Sequence, residues 1–135
     1  MNHIYIDTNV IVRFIIKDNK QQNRKTREYI ALSQQKKVVL TILTEIILEV
    51  EYVLRKTYKI PREDITKSLE SVVEMSYFHV MDRDILKQAL VIYKSCTVDL
   101  VDIILFLKAK KAGADVLSFD KDFGKLKKYI RLSSK

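Results

Sequence analysis

Turn-forming residues are nearly missing from this chain. Two glycines and one proline in 135 residues leave little room for long loops, so most of the backbone must be regular structure, and helix above all. Short apolar runs at 3–6, 37–41, 77–80 and 115–119 read as buried strands, and 129–132 reads as a last, edge strand. Between them lie segments with helical spacing: 9–17, 19–35, 42–57, 61–75, a helix capped by Asp82 and running to 94, and 99–112. Pro61 suits a first helical turn and Gly113 a helix stop. Strands separated by helices predict a parallel sheet covered on both faces, an α/β unit occupying 1–135 as a single domain.

Four acids stand in segments that are otherwise apolar. Asp7 ends the run HIYID, Asp120 ends DVLSFD, Asp102 lies inside DLVDIILFL, and Glu49 lies inside LTILTEIILEVEYVL. A carboxylate in such surroundings carries a desolvation cost of several kcal/mol unless a positive group meets it. Asp7 and Asp120 each close an expected strand, and ligands of open parallel sheets bind beyond strand carboxyl ends. On a helical wheel from Ile42, advancing about 100° per residue, Leu43, Ile46, Ile47, Val50, Val53 and Leu54 form one apolar arc. Glu49 falls roughly 20° outside that arc, Glu45 falls further out, and Glu51 sits on the opposite border. On the 99–112 helix, Asp99 and Asp102 share a face about 60° wide. Asp99 can serve the helix dipole from the first turn; Asp102, placed a turn deeper, cannot.

Three of the four also have an ordinary structural use. Asp7 is a good N-cap, Asp120 a common turn residue, and Glu49 could pair with Lys56. Taken together they describe one acidic pocket. Carboxylate oxygens form a hard-ligand set that suits Mg²⁺ or Mn²⁺, and a metal held this way serves phosphodiester chemistry. With a single cysteine, Cys96, no intrachain disulfide is possible and a cysteine zinc site is excluded. Cys96 reads as a buried, inert thiol, and His3 and His79 as core or edge histidines. No glycine-rich phosphate loop is present, which argues against ATP or dinucleotide binding.

Charge points the same way. With 25 Lys+Arg against 17 Asp+Glu, the formal charge is +8, an excess that favours polyanions. Lys110, Lys121 and Lys125 flank the Asp120 loop, and Arg13 follows Asp7, so a phosphate-tracking channel on either side of the acids is expected. Tyr52, Phe123 and Tyr129 are candidates for base stacking. No apolar run approaches the ~18 residues that span a bilayer, and no signal peptide is recognisable. A reducing cytoplasm is the expected compartment, and no membrane is expected.

The stretches YIDTNVIVRF, LEVEYVLRKTYKIPREDI and TVDLVDIILFLKAKKAGADVLSFDKDFGKL, in that order, resemble a PIN domain, specifically the VapC-type ribonuclease toxins of toxin–antitoxin pairs. The resemblance covers nearly the whole chain. It implies that Asp7 is the first metal ligand, with Thr8 and Asn9 as its polar neighbours. Glu49 would be the glutamate preceding Tyr52-Val53-Leu54, Asp102 the second aspartate of a D-x-x-D helix, and Asp120 the fourth acid, with Asp122 as the alternative. It further implies a three-layer α/β/α sandwich with a mainly parallel central sheet, and Mg²⁺- or Mn²⁺-dependent endonucleolytic cleavage of RNA. A homodimer and a cognate antitoxin that blocks the site are the implied partners. Two other functions compete. One is a non-catalytic RNA-binding PIN module. The other is a phosphatase with Asp7 as nucleophile, which usually needs a second Asp two residues on, where Asn9 stands.

Overall fold

The computed structural model describes residues 2–17 and 20–133, with side chains as far as 127. The chain forms two compact units, Met1–Arg83 and Asp84–Lys135.

The first unit holds a three-stranded parallel sheet in the order β1-β2-β3: β1 is Asn2–Tyr5, β2 Val38–Ile42 and β3 Phe78–Val80. In register, Asn2 faces Val38 and Tyr5 faces Thr41, and on the other side Leu40 faces Phe78 and Ile42 faces Val80. Parallel pairing follows from the helices in each crossover. Helices α1 (Thr8–Ile16) and α2 (Lys20–Gln34) separate the first two strands. Helices α3 (Thr44–Lys56) and α4 (Arg62–Glu74) separate the second pair. The middle strand is buried almost throughout, with Leu40, Thr41 and Ile42 closed to solvent, the burial expected of a strand covered by helices. The edge strand β1 is open enough to leave Tyr5 66 % exposed.

Local chemistry sets the boundaries. Asp7 is the N-cap of α1, its carboxylate accepting the Thr8 N–H at 2.8 Å, and Lys17 ends the helix with left-handed backbone at φ 60°. Pro61 is the N-cap of α4. Arg83 binds three carbonyls at once around the approach to β3: those of Val73 (2.9 Å), Met75 (3.1 Å) and Phe78. Asp82 differs from its expected capping role. Its backbone is left-handed, at φ 56°, and its carboxylate accepts the Thr44 hydroxyl at 2.7 Å, tying the loop after β3 to the start of α3. The expected start of the second helix at Asn19 lies outside the described residues.

The second unit is helical: α5 (Arg83–Lys94), α6 (Leu100–Lys111) and α7 (Asp122–Ser133). Gly113, at φ 67°, takes the left-handed conformation that closes α6. Its N–H reaches the Lys110 carbonyl at 3.0 Å, and the Ala114 N–H reaches the Ala109 carbonyl at 2.8 Å. Two expected strands are absent here. Residues 114–118 join no ladder, and Leu117 and Phe119 are 92 % and 99 % exposed. A strand exists only through a partner edge, and an apolar alternation specifies a face without naming that partner. Residues 129–132 belong to α7, because Phe123, Leu126 and Ile130 recur at three- and four-residue spacing, a helical period.

Candidate active site

In the first unit the acids stand at the carboxyl end of the sheet and along α3. Asp7 follows β1 and is exposed, as is Asn9, whereas Thr8 is buried with its hydroxyl unpartnered. Asp7 and Asn9 rim a cavity of 590 Å³ that Arg13 also lines. Arg13 is half-buried and donates to the Gln22 amide oxygen.

The buried face of α3 lies about 60° round from the expected apolar arc. It consists of Thr44, Ile47, Val50, Glu51 and Leu54, so the acid that points inward is Glu51, only 5 % exposed. Glu51 is neutralised by Arg55 one turn later, Nε to Oε2 at 2.8 Å. The signal was present as an i,i+4 Glu–Arg spacing, but a wheel scored on apolarity alone puts every acid outside. Glu49 and Glu45 are both exposed.

In the second unit Asp99, Asp120 and Asp122 all bear on Asp102. The Asp102 carboxyl is held above the usual carboxylate range, by burial first and then by the negative charges of Asp99, Asp120 and Asp122. Asp99 is the N-cap of α6 but makes no side-chain cap bond. Asp102 is therefore in the first turn of α6 rather than a turn deeper, and the dipole role denied to it is available. It has no side-chain hydrogen bond or ion pair among the described residues. Asp120 and Asp122 are linked, the Asp122 N–H donating to Asp120 Oδ1 at 2.9 Å. The Asp120 N–H donates to the Ser118 hydroxyl at 3.0 Å. Asp122 has a cation of its own, Lys125 at 3.2 Å. No three His, Cys, Asp or Glu side chains among the described residues come close enough to grip a metal ion.

The basic residues are in the open. Lys110, Lys121 and Lys125 are exposed, and the Lys110 ammonium lies over the Phe106 ring at 5.8 Å. Lys110 also lines a smaller cavity of 180 Å³ with Phe123 and Lys127. Tyr52 is 55 % exposed and carries the Arg55 guanidinium over its ring at 5.6 Å. The Tyr129 side chain lies outside the described residues. His3 and His79 are exposed residues of the two edge strands, and Cys96 is half-buried rather than buried. No helix among the described residues is long and apolar enough to cross a membrane.

A parallel sheet with an acid at the end of its first strand, and an acid-headed helix further along the chain, make this an α/β protein. The PIN domain family matches residues 4–129, and the chain belongs to that family. It is 30 % identical over 122 residues to the VapC ribonuclease of Aquifex aeolicus (strain VF5), a match covering 90 % of each chain. No solved structure matches significantly.

Proposed function

We propose that this chain, acting as one PIN domain over 1–135, is a metal-dependent endoribonuclease and the toxin of a type II toxin–antitoxin pair. The observation that carries the proposal is the Asp102 carboxylate. It is half-buried, makes no ion pair among the described residues, and is pushed toward protonation by burial first and then by three further aspartates. Such mutual repulsion is relieved by a dication, and an all-oxygen donor set fits Mg²⁺ or Mn²⁺. Asp7, Glu49, Asp102 and Asp120 are the residues that would hold it. Asp120 is preferred to Asp122, whose carboxylate is already occupied by Lys125. Asp99 and Glu45 stand one turn from Asp102 and Glu49 as supplementary acids. Likeness to a VapC ribonuclease supports the same activity, and the family match runs through both compact units.

When bound, the cation supplies a Lewis acid and a water that ionises near neutral pH. The chain supplies the rest. Arg13, Lys110, Lys121 and Lys125 hold the phosphodiester backbone, and Thr8 and Asn9 keep the Asp7 turn in place. The Asp7 carboxylate is oriented by its bond to the Thr8 N–H. Cytoplasmic location, a homodimer and an antitoxin whose tail covers the acids complete the proposal.

Purified protein should cleave a structured RNA in Mn²⁺ and lose that activity in EDTA. Asp7→Asn should also be inactive, and because Asn caps helices as well as Asp does, the variant should melt like the parent. Robust cleavage by Asp7→Asn refutes the assignment. The formal charge of +8 would equally serve one rival, a non-catalytic RNA-binding module. Calorimetric titration with Mn²⁺ separates them: the nuclease binds saturably and the module does not.

A further inference from the structure

The cavity beside Asp7 holds a polar group that the proposed chemistry does not use. Asn23, on the first turn of α2, lines it and is 4 % exposed. Its Oδ1 is shut away from solvent with no hydrogen-bond donor among the described residues. A buried amide oxygen without a partner is a standing cost to the fold, and native proteins keep such groups sparingly. Around it the cavity carries Tyr5 and Tyr29, 66 % and 37 % exposed, together with the cations Arg13 and Lys25. At 590 Å³ it has room for a nucleotide.

We propose that this cavity is a nucleotide subsite for the residue next to the scissile phosphate, with Asn23 selecting its base. On the Watson–Crick edge a carboxamide pairs in bidentate fashion with a base that sets an amino group beside an unprotonated ring nitrogen, which means adenine or cytosine, since guanine's N1 carries a proton there. Turned about its side-chain torsions toward the cavity it lines, the Asn23 amide accepts from the amino group through Oδ1 and donates through its NH₂ to the ring nitrogen. Tyr5 or Tyr29 offers the ring a stacking face, and Arg13 and Lys25 take the phosphate. This deepens the ribonuclease proposal, on which it rests only for the direction of the strand past Asp7.

The test titrates the four nucleoside 5′-monophosphates separately into the ¹⁵N-labelled full chain. Adenosine or cytidine monophosphate should give saturable shifts that include the Asn23 side-chain NH₂. Asn23→Ala should weaken that binding about 5- to 150-fold, and Asn23→Leu, which keeps the volume, should do the same while melting no lower than the parent. In a cleavage assay read by sequencing the RNA ends, both variants should lose the base preference beside the cut. Absence of saturable shifts, uridine monophosphate binding as tightly as the amino-bearing nucleotides, or shifts indifferent to Asn23 would overturn the proposal. So would shifts that follow protein concentration alone, which would assign the cavity to a second copy of the chain. Nucleotide binding without any RNA cleavage would sustain the subsite and sink the nuclease instead.

Discussion

Two acids on α3, two residues apart, should respond in opposite ways to the same substitution. Glu51→Gln keeps the shape of the side chain and removes its charge from Arg55, which sits at 2.8 Å from one oxygen and 3.4 Å from the other. A fully exposed pair at this spacing is worth about 0.3–0.5 kcal/mol. Stripping one partner from a fully buried pair costs about 3–5 kcal/mol. Here the Glu51 side chain is 7 % exposed and that of Arg55 36 %, so water reaches the cation and the loss should fall between, at about 1–2 kcal/mol. For a chain of this size that lowers the melting temperature by about 3–8 °C. Cleavage measured well below the melt should persist. Glu49→Gln alters an exposed side chain, so its stability should change by less than about 0.5 kcal/mol, while cleavage should fall by about 10²–10³-fold, as for other charge-stabilising groups. Circular-dichroism melts and RNA cleavage on the same preparations decide the matter. If Glu51→Gln melts normally but is inactive, and Glu49→Gln cleaves like the parent, the functional acid of α3 is Glu51 and the assignment of Glu49 is wrong.

Asp102→Asn should abolish cleavage and yet raise the melting temperature at pH 7. Its folded carboxyl titrates above the usual range, so the fold loses stability as pH rises from the ordinary carboxylate value through the raised one; the gain from Asn should vanish at pH 3. Melts in EDTA at both pH values measure this, and an Asn variant less stable at pH 7 would contradict it. Lys121→Ala should weaken binding to RNA of any sequence and flatten the log-affinity against log-salt slope by about 0.7, one phosphate contact on a single strand; an unchanged slope removes Lys121 from the channel. Arg83→Met strips charged donors from the Val73, Met75 and Phe78 carbonyls, a loss of about 2–4 kcal/mol after allowance for water reaching part of the site. A melting temperature within 2 °C of the parent, against an expected fall of roughly 10 °C, would show that the clamp is dispensable.

The parts of the fold that were legible in the sequence are those set by local chemistry. β2 is a short β-branched and aliphatic run and β1 (NHIY) leads into the apolar Ile6; each is followed by a helical pattern and lies within about a residue of its expected place. The ends of α4 and α6 are announced by Pro61 and Gly113. What could not be read depends on partners distant in sequence. DVLSF has the composition of a strand, but nothing local says whether an edge will accept it, and Leu117 and Phe119 stand in solvent. Glu51 is inside because Arg55 follows it by one turn, so the inward face of α3 is decided by a pair and not by apolarity. Asn23 belongs to a helix of polar residues, where no pattern distinguishes a buried amide from its exposed neighbours.

The electrostatics of α6 carry the argument for a dication furthest. An acid in the first turn of a helix is favoured in its charged form by about 0.3–1 kcal/mol, so the position alone should hold the Asp102 carboxyl down. It is held up instead; burial and three aspartates together outweigh the dipole. A chain with 25 lysines and arginines does not lack cations for the task, and one of them, Lys125, does approach this loop, where it pairs with Asp122. Asp102 is left with burial and repulsion and no ion pair among the described residues. Such an arrangement is stable only at a cost, and that cost has a purpose if a divalent ion supplies the missing charge. Adding Mn²⁺ should then erase the stability difference between the parent and Asp102→Asn at pH 7, because the ion binds the folded carboxylates and not the amide. A gap that stays the same in saturating Mn²⁺ would leave the acids of α6 as uncompensated repulsion and remove the physical basis for metal-assisted cleavage.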